Sequence, residues 1–134
     1  MNTRINPADF TKTVGAYSQG LKVDLGDKSL VFVSGQLAMD AEGDPVAPGD
    51  FGAQTRFIFE NIKRVLGEAG ATLGDVVKVQ IFVTDITKFP QVSAVRNEYL
   101  GDIRPVSTLL EINRTVKDGC DIEIEVTAIM ENLK

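Results

Sequence analysis

Histidine is absent from these 134 residues. That removes the one side chain that titrates unperturbed near neutrality, the Ser-His-Asp and Cys-His nucleophile systems, and every His-containing metal site. Cysteine is scarce. Cys120 stands alone, so no intrachain disulfide closes and no thiolate zinc cage forms, which fits a reducing compartment, the cytoplasm by default. Basic residues are the minority, 14 Lys and Arg against 19 Asp and Glu for a net charge of -5, and no broad basic field is available for a phosphate backbone. Long apolar runs are missing as well: nothing approaches the roughly 18 residues of a membrane span, and Met1 to Phe10 carries no signal-like apolar stretch. A soluble, unexported chain is expected, with neither a nucleic acid nor a membrane as partner.

What is present is ordinary globular usage, 43% hydrophobic and 25% charged, with no tandem repeat, low-complexity tract or linker. One domain over residues 1–134 is expected, long enough to bury roughly two thirds of its unfolded surface. Tyr17 to Val23 and Ser29 to Ser34 read as a β-hairpin across a Gly- and Asp-bearing turn, and Gln36 to Gly49 as an exposed loop. From Asp50, a plausible N-cap, apolar residues at Phe51, Ile58, Ile62, Val65, Leu66 and Ala69 keep helical spacing until Gly70. Val76 to Thr84 is β-branched and strand-like, and Phe89 to Leu100 is a second helix with Pro90 in its first turn and Gly101 as its stop. Val106 to Ile112 and Ile122 to Met130 are the closing strands. The last alternates cleanly, with Ile122, Ile124, Val126, Ala128 and Met130 on one parity and Glu123, Glu125 and Thr127 on the other. The expected architecture is α+β, a mixed sheet with two helices on one face.

Without histidine, proton transfer falls to carboxylates, Tyr17, Tyr99, lysines and water, which suits hydrolysis of an already activated bond. Glu123 and Glu125 lie about 7 Å apart on one strand face, close enough to share a cleft or perturb one another. A solvated strand face is the plain alternative. Gly67, Gly70 and Gly74 follow a helix instead of opening one, so they are turn residues and not a phosphate loop. Arg96 and Arg104 bracket the junction between the second helix and the next strand, as anion ligands or as surface ion pairs.

Several segments together carry a likeness: Ala16-Tyr17-Ser18-Gln19-Gly20, Val33-Ser34-Gly35-Gln36, the helix end Ala69-Gly70, the run Arg104-Pro105-Val106-Ser107-Thr108-Leu109-Leu110-Glu111-Ile112, and Ile122-Glu123-Ile124-Glu125. In order and spacing they resemble the RidA/YjgF/YER family of reactive-intermediate deaminases, over nearly the whole chain. The resemblance implies a chorismate-mutase-like protomer and a barrel-like homotrimer, with sheets lining the interior and three ligand clefts between neighbouring subunits. It implies an enamine or imine deaminase that works by water addition and needs no cofactor and no metal. By position, Glu123 looks like the carboxylate that orients water, Tyr17 like the cleft hydroxyl, and Ser34-Gly35 like the backbone contact region.

The chain also departs from the family pattern. Ser107 stands where the typical deaminase has its carboxylate-gripping Arg, Leu109 where it has a cleft Cys, and Ser93 where it has a helix Asn. Losing a bidentate charge-assisted pair forgoes about 1.5 to 3 kcal/mol of binding. Arg96, one turn along the helix from Ser93, is the candidate replacement cation, with Arg104 beside it. An apolar wall at Leu109 points to a larger or less charged substrate. A non-catalytic, metabolite-binding trimer is the alternative, while a ribonuclease or translation inhibitor sits badly with the acidic charge and the missing histidine.

Overall fold

The structure is a computed structural model that describes residues 1–132. Six strands, β1 (Asn2–Ile5), β2 (Gly20–Asp24), β3 (Lys28–Leu37), β4 (Val76–Val83), β5 (Val106–Glu111) and β6 (Ile122–Glu131), form one sheet in the order β1-β2-β3-β6-β4-β5. Strands β4 and β5 are parallel and the other neighbouring pairs antiparallel. A parallel pair needs a long crossover, which the helix α2 (Phe89–Leu100) supplies, while α1 (Phe51–Ala69) carries the chain from β3 to β4. The fold is thus the expected α+β arrangement.

Helix α1 begins where Asp50 accepts a hydrogen bond from the Ala53 N–H at 3.0 Å. It ends at Gly70, whose φ of 88° lets its N–H reach the Gly67 carbonyl while Ala71 bonds Leu66. No basic residue lies in its last turn. Lys22 of β2 compensates from the sheet, its Nζ donating to the Ala69 carbonyl at 2.9 Å. The apolar stripe Ile58, Phe59, Ile62, Val65 and Leu66 is fully buried, at about 1.5–3 kcal/mol per large side chain over leaving it exposed. Phe59 stacks on Tyr99 of α2 with ring centroids 5.0 Å apart, fastening the helices to each other.

The sheet presents its buried parity to these helices: Val31 and Val33 of β3, Val79, Ile81 and Val83 of β4, and Ile122, Ile124, Val126 and Ala128 of β6. Among the described residues, no helix covers its other face. Phe32, Leu110 and Ile129 are exposed there, together with Val106, which is 68% exposed, among Glu123, Glu125, Thr127 and Lys78.

Four features differ from the sequence reading. The short edge strand β1 was not anticipated, and Tyr17 to Gln19 lie outside the hairpin, because Ser34 draws Ser18 and Gln19 into a loop: its Oγ donates to the Ser18 carbonyl at 2.6 Å and its N–H to the Gln19 carbonyl at 2.9 Å. Strand β3 runs on to Leu37 across a bulge between Val33 and Gln36, so the loop starts later. Gly101 remains right-handed at φ -56°, and Arg104 takes the left-handed position instead, at φ 51°.

Candidate functional site

The bulge in β3 shapes the first half of the site. It lets Gly35 sit directly under the Glu123 side chain of β6, so closely that a Cβ there would lie 2.6 Å from Oε2 and 2.9 Å from Cγ. A glycine is needed for space, not for an unusual φ. Tyr17, Ser34, Gly35 and Glu123 line one pocket of about 590 Å³. Burial pushes the Glu123 carboxyl above the ordinary carboxylate range, and the Glu125 charge pushes the same way. A half-buried carboxylate that shares a pocket with a phenol is equipped to hold a water and accept its proton.

The second half lies between α2 and β5. Arg96, Arg104 and Ser107 line a pocket of about 460 Å³. The Arg96 guanidinium donates from Nη2 to the Ser93 Oγ at 2.9 Å and from Nε to the Asn97 Oδ1 at 3.2 Å. Its Nη1 lies 3.5 Å from the Ser107 Oγ. Arg104 is folded back by a contact of 3.4 Å from its Nε to the Gly101 carbonyl. Leu109 lines neither pocket within one chain: it pairs with Ile81 and packs against the core.

The two halves do not meet within one chain. Glu123 is level with Phe82, and Phe82 with Leu110, whereas Ser107 is three residues further along β5 and faces the helix side. Strand spacing and rise separate the two backbones by about 14 Å, with their side chains on opposite faces.

The family model described as endoribonuclease L-PSP matches residues 8–130. The chain belongs to this family, the YjgF/RidA family. A RutC family protein of Pyrococcus abyssi is 40% identical over 90% of this chain and 91% of its own length. The 2-iminobutanoate/2-iminopropanoate deaminase of Salmonella typhimurium is 36% identical over 96% of this chain and 98% of its own. The crystal structure of the YjgF gene product of E. coli superposes with a TM-score of 0.80 at 32% identity, covering 95% of this chain and 98% of that one.

Within this YjgF/RidA-family chain, several pocket residues were not singled out from the sequence. Arg64 of α1 grips Asp9 with both Nη atoms, one at 2.7 Å, and lies over the Phe10 ring at 5.0 Å, which fastens the loop before Tyr17 to the helix. Asp9, Phe10 and Arg64 all line the Glu123 pocket. Gln36 is buried and donates to the Gln19 Oε1 at 2.9 Å, and Gln19 in turn donates to the Thr11 carbonyl at 3.2 Å. Both glutamines stand in the motifs quoted above, and a polar residue at the end of a buried strand was the available signal. Arg64 had none, since its partner is 55 residues away. Among the described residues no cluster of three or more His, Cys, Asp or Glu could hold a metal, and no helix is long and apolar enough to cross a membrane.

Proposed function

We propose that this YjgF/RidA-family chain is an imine/enamine deaminase that assembles as a homotrimer, its clefts each built from the Glu123 pocket of one subunit and the Arg96–Ser107 pocket of the next. The reading is carried by the division of the site: the half-buried Glu123 on one sheet face, and on the other the pocket between α2 and β5 that Arg96, Arg104 and Ser107 line. An open sheet face bearing Phe32, Leu110 and Val106 supports burial against a neighbour. The likeness to a 2-iminobutanoate/2-iminopropanoate deaminase supports the chemistry.

In the proposed reaction, Arg96 and Ser107 hold the substrate's carboxylate while ionised Glu123 takes a proton from water as the oxygen bonds to the iminium carbon. The resulting carbinolamine receives that proton on nitrogen, the C–N bond breaks as Glu123 takes the remaining hydroxyl proton, and ammonia leaves with a carbonyl product, that last proton passing to solvent. Tyr17 donates a hydrogen bond to the developing oxygen or nitrogen charge. The buried free thiol of Cys120, held above the ordinary thiol range by its burial, is consistent with a reducing cytoplasmic setting.

The test generates 2-aminoacrylate and other imines in situ and follows ammonia and 2-oxo acid release. Acceleration by the protein is expected. Metabolite binding without acceleration of any imine would establish a non-catalytic binder instead. The same assay probes Gly35→Ala. Its Cβ would occupy space held by the Glu123 carboxyl, and displacement by about 1 Å costs on the order of a hundredfold in rate. The melting temperature should move little, since an alanine in a strand lacks glycine's backbone entropy cost.

A further inference from the structure

We propose that Arg104 is a second carboxylate ligand, so that the cleft selects the imine or enamine of a four- or five-carbon 2-oxo diacid over that of a monoacid. This rests on the deaminase reading above and names its substrate class.

The charge of this pocket is uncompensated. Arg96 and Arg104 line one pocket, and among the described residues neither forms an ion pair with a carboxylate, whereas Arg56 is paired with Glu98 and Arg64 with Asp9. The three polar partners of Arg96, Ser93, Asn97 and Ser107, are all neutral. They fix the guanidinium in place without cancelling its charge. Five N–H groups point outward from each guanidinium in a fixed fork that suits one carboxylate bidentately. A monoacid therefore satisfies one fork and leaves the other facing a like charge across the pocket. A diacid satisfies both.

Local geometry sorts the two roles. Ser107 Oγ accepts from Arg96, which leaves its own O–H free to donate, so Arg96 of α2 and Ser107 of β5 together form a charge-backed donor pair across the α2–β5 junction. That pair suits the carboxylate beside the reacting carbon. Arg104 stands at the rim, exposed, where the chain leaves α2: the Ile103 and Arg104 N–H groups both bond the Leu100 carbonyl, the Arg104 backbone is left-handed at φ 51°, and Pro105 follows. A non-glycine residue in that region is strained, and the residue before a proline prefers extended backbone. The side chain, folded back over Gly101, faces the same space as Arg96 and suits the distal carboxylate. The pocket thereby holds two unpaired guanidinium groups. This departs from the less charged ligand that Leu109 suggested, because Leu109 does not line this pocket within one chain.

The test measures calorimetric binding of stable 2-oxo acids to the assembled protein. 2-Oxoglutarate and oxaloacetate should bind about ten- to a hundredfold tighter than pyruvate or 2-oxobutanoate, the worth of one added charge-assisted contact. Arg104→Gln keeps the same backbone demand and should erase that preference, lowering diacid affinity far more than pyruvate affinity; Arg104→Lys should restore part of it. Arg96→Gln should weaken both ligand classes. Equal affinity for mono- and diacids in the unmodified protein, or a parallel loss of both in Arg104→Gln, would overturn the proposal. Imine turnover is scored separately: Arg104-dependent diacid binding with no deamination keeps this inference and removes the deaminase reading, whereas deamination of monoacid imines with no diacid preference does the reverse.

Discussion

Glu123→Gln is expected to lower imine turnover by about 10²–10⁴-fold, the usual worth of a positioned general base, while raising the protein's stability at neutral pH. The two effects share a cause. Burial, and then the charge of Glu125, hold the Glu123 carboxyl above its ordinary pKa. A carboxyl whose pKa is higher folded than unfolded binds its proton more tightly in the folded state, so its ionised form costs stability once the pH exceeds the raised value. Removing the charge relieves that cost at pH 7 and above. As the pH falls through the raised pKa toward the ordinary range, the unmodified protein regains the difference, and its melting temperature should converge on that of the variant. The rate profile runs the opposite way, because only the ionised form accepts a proton from water. The acid limb of kcat/KM in the unmodified enzyme should lie above the ordinary carboxylate range and be missing from the residual rate of Glu123→Gln. Thermal melts between pH 4 and 8 with a matching rate series check both, and a variant less stable at pH 8 would contradict the desolvated-carboxylate account.

That carboxylate was legible in the sequence for the same reason the fold was. The strict alternation of β6 assigns Ile122, Ile124 and Val126 to the helices and Glu123 and Glu125 to the other face, whatever the rest of the chain does. Helix α2 was equally readable, since Pro90 in its first turn and apolar residues at Val92, Val95, Tyr99 and Leu100 define it locally. Period-2 reasoning failed where the chain departs from a regular ladder. The bulge at Ser34 and Gly35 interrupts the alternation of β3 and looks like a strand end, and β1 buries only Ile5, too little to register as a pattern. Gly101 was an understandable choice of helix stop, but its Cβ position is crowded by the Asn97 carbonyl and the left-handed turn falls three residues later. The Arg96–Ser107 approach was half visible. Ser93 and Arg96 share a helix face by spacing, whereas the contact to β5 depends on how tightly the α2–β5 turn closes, which no local rule specifies. The fastening of Asp9 to Arg64 is purely tertiary.

The prediction with the largest structural consequence concerns the open sheet face. Leu110 is 52% exposed, on the edge strand and level with Phe82 and Glu123, so in the proposed trimer it becomes buried against a neighbour. Leu110→Glu would then bury an unpaired charge, at a cost of more than about 2 kcal/mol per interface, multiplied by the closed symmetry of the ring. Light scattering should fall from the mass of three chains to that of one, 14.5 kDa. Far-ultraviolet circular dichroism should persist, because the helix-side core is untouched. Catalysis should disappear with the assembly, although Glu123, Tyr17, Arg96 and Ser107 are all present in every molecule. Mixing subunits separates this loss from any local damage. Glu123→Gln and Arg96→Gln should each be strongly impaired as pure assemblies, yet after co-refolding roughly a quarter of the clefts combine an intact Glu123 from one chain with an intact Arg96 from the other. Activity should return to about that fraction. No recovery from a correctly mixed trimer would mean that both residues act within one chain, which the opposite faces of the sheet at Glu123 and Ser107 do not permit for a small ligand.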